Sequence, residues 1–194
     1  MRIAMWAVTL TVVYFVTVRL VGAIAGAAGK RTRPAGRGSD IFIDMEALRM
    51  IESGGNSQAV SPAGARGPYQ MCRLAWTDAV QSLDRRRGHP YGFDYDTYAE
   101  SETIGRIVAW EYVSRVLPRY LTCDKISETD TTGPVPDCLA ARLAAYNAGA
   151  GAVRKAYAKD PANWQKHLPD ETREYISRYH REVTRRAKIA AAAK

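Results

Sequence analysis

Residues 51–71 read IESGGNSQAVSPAGARGPYQM, a run that turns from an apolar helical pattern into a turn-rich loop at one carboxylate. That carboxylate, Glu52, is the sole acid of the stretch. Just upstream, Asp44 is placed to cap a short helix whose Met45, Leu48 and Ile51 share one face and which delivers Glu52 near its end. Gly54 and Gly55 supply the stop, and a Ser-Pro-Ala-Gly-Ala run then leads to Gln70. A Glu among small, uncharged polar residues, with no cationic partner beside it, suits a general acid. Burial against apolar surface favours its neutral form and raises its pKa. The plainer reading of a single such residue is a solvated Glu at a helix end.

Outward from this stretch the pattern stays helical. Residues 73–83 read as a helix with Leu74, Ala75, Val80 and Leu83 as its apolar positions, and Asp84 to Tyr98 as a charged, aromatic loop. Ile104, Val108, Tyr112 and Val116 recur at helical spacing from Ser101 to Leu117, with Pro118 as a stop. A further helix is expected from Asp137 to Asn147, broken by Gly149 and Gly151 before a short one over Val153 to Tyr157. The last begins near Asp170 and carries Tyr175, Ile176 and Tyr179, with a basic, alanine-rich end expected to fray. There is no internal repeat, no heptad run and no strand-rich region, so the fold class is mainly α.

The 194 residues leave room for one domain with a proper core. A net charge of +8 and a pI near 9.5 call for an anionic partner: nucleic acid, anionic lipid or cell-wall polymer. The charge gathers at Lys30, Arg31, Arg33 and Arg37 and again at Arg178, Arg181, Arg185, Arg186 and Lys188. No nucleic-acid module accompanies it, so nucleic acid is not expected.

Residues 1–29 read as an export or anchoring segment. Arg2 precedes an apolar run from Ile3 to Val18, and Arg19 leads into a second, from Leu20 to Gly29. A transmembrane helix needs roughly 20 residues, which the segment supplies when read through Arg19. The length of the first run favours a retained signal anchor, whereas the small residues from Ala23 to Ala28 offer cleavage sites of a signal peptide. Residues 30–40 then form a basic linker, 41–180 the folded domain and 181–194 a basic tail. Positive charge just after an apolar segment is usually kept on the cytoplasmic side, which pulls against export.

Cys123 and Cys138 flank the loop DKISETDTTGPVPD, and a disulfide between them would contribute about 3 kcal/mol in an oxidising compartment. Two thiols are the other reading of the pair. Cys72 reads as a small wall residue, and His89, His167 and His180 have no metal-site spacing. No metal or cofactor is expected.

Glu52, Ser53, Asn56, Ser61, Gly64, Ala65, Gly67 and Gln70 together resemble the first motif of the soluble lytic transglycosylase family, a goose-lysozyme-like group. Ala145, Tyr146, Asn147, Ala148 and Gly149 resemble its Ala-Tyr-Asn-Ala-Gly motif, followed by Gly151 and Val153. Leu168, Pro169, Glu171, Thr172 and Tyr175 resemble its Leu-Pro-x-Glu-Thr-x-x-Tyr motif. The likeness covers about residues 44–180, in family order. It departs at Pro68 and Tyr69, where the family usually has an aliphatic residue and Met; that bears on the sugar subsite rather than on Glu52.

The resemblance implies a lysozyme-like helical domain with a glycan-binding groove, preceded by an apolar N-terminal helix. It implies that peptidoglycan strands are the partner and substrate, with Glu52 as both general acid and general base. Ser61 and Gln70 would hold the sugar, Tyr146 and Asn147 would face Glu52 with the Tyr146 hydroxyl near the carboxylate, and Tyr175 would line the groove. Most glycosidases need a second carboxylate. Here the three motifs offer only Glu171, and Asp94 and Asp96 lie in the aromatic loop, which fits a reaction that uses one acid and leaves a 1,6-anhydro-muramyl end. Such modules serve secretion or conjugation machines and phage particles crossing a wall, with the domain on the cell-wall side of the membrane. Two other functions remain open: a muramidase that adds water, and a non-catalytic wall-binding or assembly component.

Overall fold

In a computed structural model, the structure describes residues 42–121 and 137–193. The apolar segment 1–29, the linker 30–40 and Cys123 lie outside the described residues, and with Cys123 the disulfide expected to Cys138. The described part is mainly helical, and its only strand-like pairings are isolated bridges, Val60 to Arg66 and Arg66 to Met71. Among the described residues no helix is long and apolar enough to cross a membrane.

Helix α1 spans Met45–Ser53. The Asp44 side chain accepts the N–H groups of Glu46 and Ala47, both at 3.0 Å, which satisfies donors that have no partner inside a first turn. Gly54, at φ 63°, ends the helix with its N–H on the Met50 carbonyl. Met45, Ala47 and Leu48 are buried and Ile51 half-buried, the stripe the spacing predicts with its inner edge shifted.

Helix α2 spans Arg73–Arg87, four residues beyond the expected end, and closes at Gly88. Its inward face is Ala75, Trp76, Ala79, Ser82 and Leu83, while Leu74 is 79% exposed. The apolar position expected at Leu74 belongs instead to Trp76, whose indole N–H donates to the Phe93 carbonyl at 2.8 Å. That bond pins the segment expected as a loop, and Tyr95–Tyr98 within it forms a short helix, α3, capped by Asp94.

Helix α4 spans Glu102–Glu111 and passes without a break through a π turn, Tyr112–Val116, into α5, Leu117–Leu121. Pro118 was expected as a stop and is not one. The Leu117 N–H reaches back five residues to the Tyr112 carbonyl, so the helix is rewound by a π turn just before the proline, and it continues past it. Beside this turn lies Glu111, with 0% exposure. It accepts the Ser82 hydroxyl at 2.7 Å and the Arg86 guanidinium at 2.7 and 3.2 Å, and Arg119 donates to the same Ser82 oxygen at 3.0 Å. A buried carboxylate needs such partners, and they tie α2 to α4 and α5.

Helix α6, Asp137–Ala148, is the most enclosed, with Leu139, Ala140, Ala141, Leu143, Ala144 and Ala145 all buried. Its alanines let α5, α7 and α8 approach closely. Only Gly149, at φ 82°, separates it from α7, Ala150–Lys159; the break expected at Gly151 is absent, because that residue lies within α7. After a 3-10 turn at Trp164–His167, helix α8 runs over Asp170–Ala192. It packs on α1 and α6 through Thr172, Tyr175, Ile176 and Tyr179. The basic end expected to fray stays helical to Ala192, and within it Arg185 pairs with Glu182 at 2.6 Å and Arg186 with Asp44 at 3.3 Å.

The loop between α1 and α2 is held to the residues after α3. A Cβ on Gly67 would stand 1.8 Å from the Ala99 carbonyl oxygen, at a φ of 79° that already favours glycine. Gly88 has a similar φ of 81° but open space around it. Gly67→Ala is therefore expected to cost about 3 kcal/mol or more, against about 1 kcal/mol for Gly88→Ala. Equilibrium urea unfolding of the two variants checks this ordering.

Candidate active site around Glu52

The last turn of α1 presents Glu52 and Ser53 side by side with different tasks. Ser53 anchors the loop: its hydroxyl donates to the Pro68 carbonyl at 2.9 Å and accepts the Gly55 N–H at 3.2 Å. Glu52 is half-buried and turned toward α8, where the Tyr175 hydroxyl donates to its Oε1. Burial pushes the Glu52 carboxyl from the ordinary range up to about 7. The Tyr175 hydrogen bond and the Arg178 charge pull the other way, since both favour the carboxylate, and they only partly offset the burial.

The hydroxyl that meets Glu52 is that of Tyr175, while Tyr146 lies nearby with its own hydroxyl turned elsewhere. Tyr175, expected to line a groove, is 1% exposed and is the one that holds the carboxyl. Tyr146, expected to offer its hydroxyl there, donates it to the Tyr69 carbonyl at 2.6 Å. Burial, and after it the nearby Glu52 charge, raises the Tyr146 pKa well above the usual tyrosine value. Burial and Glu52 do the same to Tyr175. Both phenols thus stay neutral wherever Glu52 titrates. The Tyr112 ring meets Tyr146 edge to face, with centroids 6.0 Å apart.

Asn147, expected to face Glu52, is exposed and accepts the Thr172 hydroxyl at 2.9 Å, which locks the C-terminal turn of α6 to α8. Ser61 closes its own turn. Its hydroxyl accepts the Ala65 N–H at 3.0 Å, and its backbone N–H donates to the Ala65 carbonyl at 2.9 Å. Gln70 has a φ of 44°, the one positive value at a non-glycine among the described residues. Its side-chain amide donates to the Gly67 and Ala59 carbonyls at 2.8 and 2.9 Å, which holds that backbone in place. In this state Ser61 and Gln70 shape the loop beside Glu52, leaving the Gln70 Oε1 without a hydrogen-bond donor among the described residues.

Sequence reasoning missed the contributions of Pro68, Tyr69 and Arg178. Pro68 and Tyr69, noted as departures, face inward: both are fully buried, and their carbonyls receive the Ser53 and Tyr146 hydroxyls. No sequence pattern announces a backbone carbonyl as a partner. Arg178 was legible, three residues after Tyr175 and hence on the same helix face, with its guanidinium 5.7 Å from the Tyr175 ring centroid.

Among the described residues no second acid acts on Glu52. Asp94 caps α3, Asp96 pairs with Arg73 at 2.5 Å, and Glu171 is exposed in the first turn of α8. Among the described residues no three His, Cys, Asp or Glu side chains come together as a metal site. The arrangement can hold a proton on one carboxyl near neutral pH and release it to a neighbouring atom. No family model, curated protein or solved structure matches the chain.

A carboxyl with a pKa raised by folding stabilises the fold fully below its unfolded value, near 4.5, and that contribution is lost as pH rises through about 7. Glu52→Gln, which keeps an oxygen for Tyr175, removes the penalty. Thermal and urea unfolding should find the variant and the unsubstituted chain alike at pH 4.5. The variant should gain on the order of 2–3 kcal/mol by pH 8. Parallel stability profiles across that range would contradict the buried-carboxyl account.

Proposed function

We propose that the chain is a peptidoglycan lytic transglycosylase, anchored in or exported across a membrane, that opens the cell wall locally. One observation carries the proposal: Glu52, with no second acid acting on it among the described residues, is a carboxyl raised to about 7 by burial and held by Tyr175. The likeness of its surrounding residues to the three family motifs supplies the substrate.

The proposed reaction needs no other titrating group. Protonated Glu52 gives its proton to the glycosidic oxygen between N-acetylmuramic acid and N-acetylglucosamine as the bond to the muramyl C1 breaks through an oxocarbenium-like state. The carboxylate so formed takes the proton of the sugar's own C6 hydroxyl, whose oxygen closes on C1. The product carries a 1,6-anhydro ring, no water is consumed, and Glu52 ends protonated as it began. The Gln70 Oε1 and the loop from Ser61 to Gln70 would position the reacting ring within a groove beside Glu52.

Mass spectrometry of muropeptides released from purified peptidoglycan by the full-length chain tests this. Muramyl products one water lighter than hydrolysis products are expected, and none with Glu52→Gln. Hydrated ends would make the protein a muramidase, and no release by a folded protein would leave a wall-binding component.

The activity should fall as pH rises through about 7, where Glu52 loses its proton. Tyr175→Phe removes a hydrogen bond that favours the carboxylate, so its alkaline limb is expected at higher pH than that of the unsubstituted chain. A limb that stays in place would separate Tyr175 from the titration of Glu52.

A further inference from the structure

A cavity of about 330 Å³ opens between α1 and α8, lined by Met50, Ile51, Arg178, Arg181, Glu182 and Arg185. It adjoins the proposed catalytic carboxyl, because Ile51 precedes Glu52 and Arg178 lies over the ring of the Tyr175 that holds Glu52. The arginines of α8 are not equivalent. Arg181 is paired with Glu174 at 2.5 Å, Arg185 with Glu182 through two bonds of 2.6 and 2.7 Å, and Arg186 with Asp44. Arg178 has no ion pair among the described residues. The cavity therefore has one guanidinium without an ion pair among the described residues, two more whose charge is already met, and the apolar side chains of Met50 and Ile51 in its lining.

We propose that this cavity is a subsite for a free carboxylate of the peptide stem that the glycan substrate carries. The proposal rests on the transglycosylase reading and extends it: the sugar ring goes to Glu52 and the stem to Arg178. The sugars themselves are neutral and give a guanidinium no reason to stand there. A peptide carboxylate matches the planar fork of Arg178 in charge and shape, and the aliphatic part of a stem residue covers Met50 and Ile51. The volume suits one or two residues. Docking the stem one helical turn from the reacting bond would spend binding energy on orienting the sugar.

The test compares two forms of one soluble muropeptide oligomer, with stem carboxyls free and with the same carboxyls capped as methylamides. At low salt the full-length chain is expected to cleave the free form with a kcat/KM about tenfold higher or more, the usual return of a charge-assisted contact. In Arg178→Gln that ratio should fall toward one, whatever the variant does to the rate common to both forms through Glu52. Equal rates on the two forms with the unsubstituted chain, or a preference that survives in Arg178→Gln, would overturn the subsite. Arg178 is exposed, so the variant should fold, which circular dichroism checks. Binding of the isolated stem tetrapeptide, followed by NMR shifts at α1 and α8, separates the two readings. Arg178-dependent binding without any cleavage would keep the carboxylate site and sink the transglycosylase assignment. Cleavage without such binding would do the reverse.

Discussion

The hydrogen bond from Tyr175 to Glu52 joins residues 123 positions apart and fixes how the first and last helices of the described domain meet. It works only because each partner is held from behind. Asp44 caps α1 and gives its own N–H to the Tyr179 hydroxyl at 2.7 Å, so the N-terminal end of α1 is fastened to α8 one turn beyond Tyr175. Thr172, one turn before it, takes α6 into the same arrangement through Asn147. Tyr175 thus sits between two side-chain bonds that leave α8 little freedom to slide, and the phenol meets the carboxyl without searching for it. Preorganisation of this kind lets a single donor matter in a half-buried site.

The loop from Gly54 to Cys72 is the second support, and it is built almost wholly from backbone. Ser53 and Tyr146 donate to the carbonyls of Pro68 and Tyr69, and Gln70 and Ser61 fasten the loop to itself. The Tyr95 hydroxyl reaches the Gly64 and Met71 carbonyls, both at 3.0 Å, from the far side. Polar carbonyls packed this closely would be costly if unpaired, and side chains of Ser53, Gln70, Tyr95 and Tyr146 supply the donors they need.

Much of the helical layout could be read in advance, because caps and apolar stripes are local. The Asp44 cap, the Gly54 stop, the start at Asp170 and the buried run Tyr175, Ile176 and Tyr179 all stand where the spacing places them. The departures came from tertiary competition. Pro118 ends a helix unless the preceding turn can be rewound, and the buried Glu111 network holds that turn in place from a different helix. Leu74 is a better apolar residue than Ala75, yet Trp76 takes the inward register because Phe93 offers its indole a carbonyl. At the site, Glu52 was legible as the carboxyl, whereas Tyr175 and Arg178 on α8 were not foreseen as its partners. Tyr146 and Tyr175 both stand in intact motifs, and only the direction of α8 decides which hydroxyl meets the acid.

For the proposed chemistry, one carboxyl must give up a proton and then take one back, so a pKa far from neutral in either direction would spoil half the cycle. Burial alone would raise the Glu52 pKa further and make it a better holder of its proton than a donor. Tyr175 and Arg178 each return part of that shift, and the balance lies at about 7. The contributions differ in kind. The tyrosine bond is short-ranged and sealed in the core, whereas Arg178 is exposed and its field is open to solvent, salt and whatever anion lies beside it. An anion docking at Arg178 would cancel part of that field and let the Glu52 pKa rise. Substrate binding at the α1–α8 cavity would then favour the protonated acid at the moment the glycosidic oxygen needs its proton, which makes the arginine a link between occupancy and protonation as well as a contact.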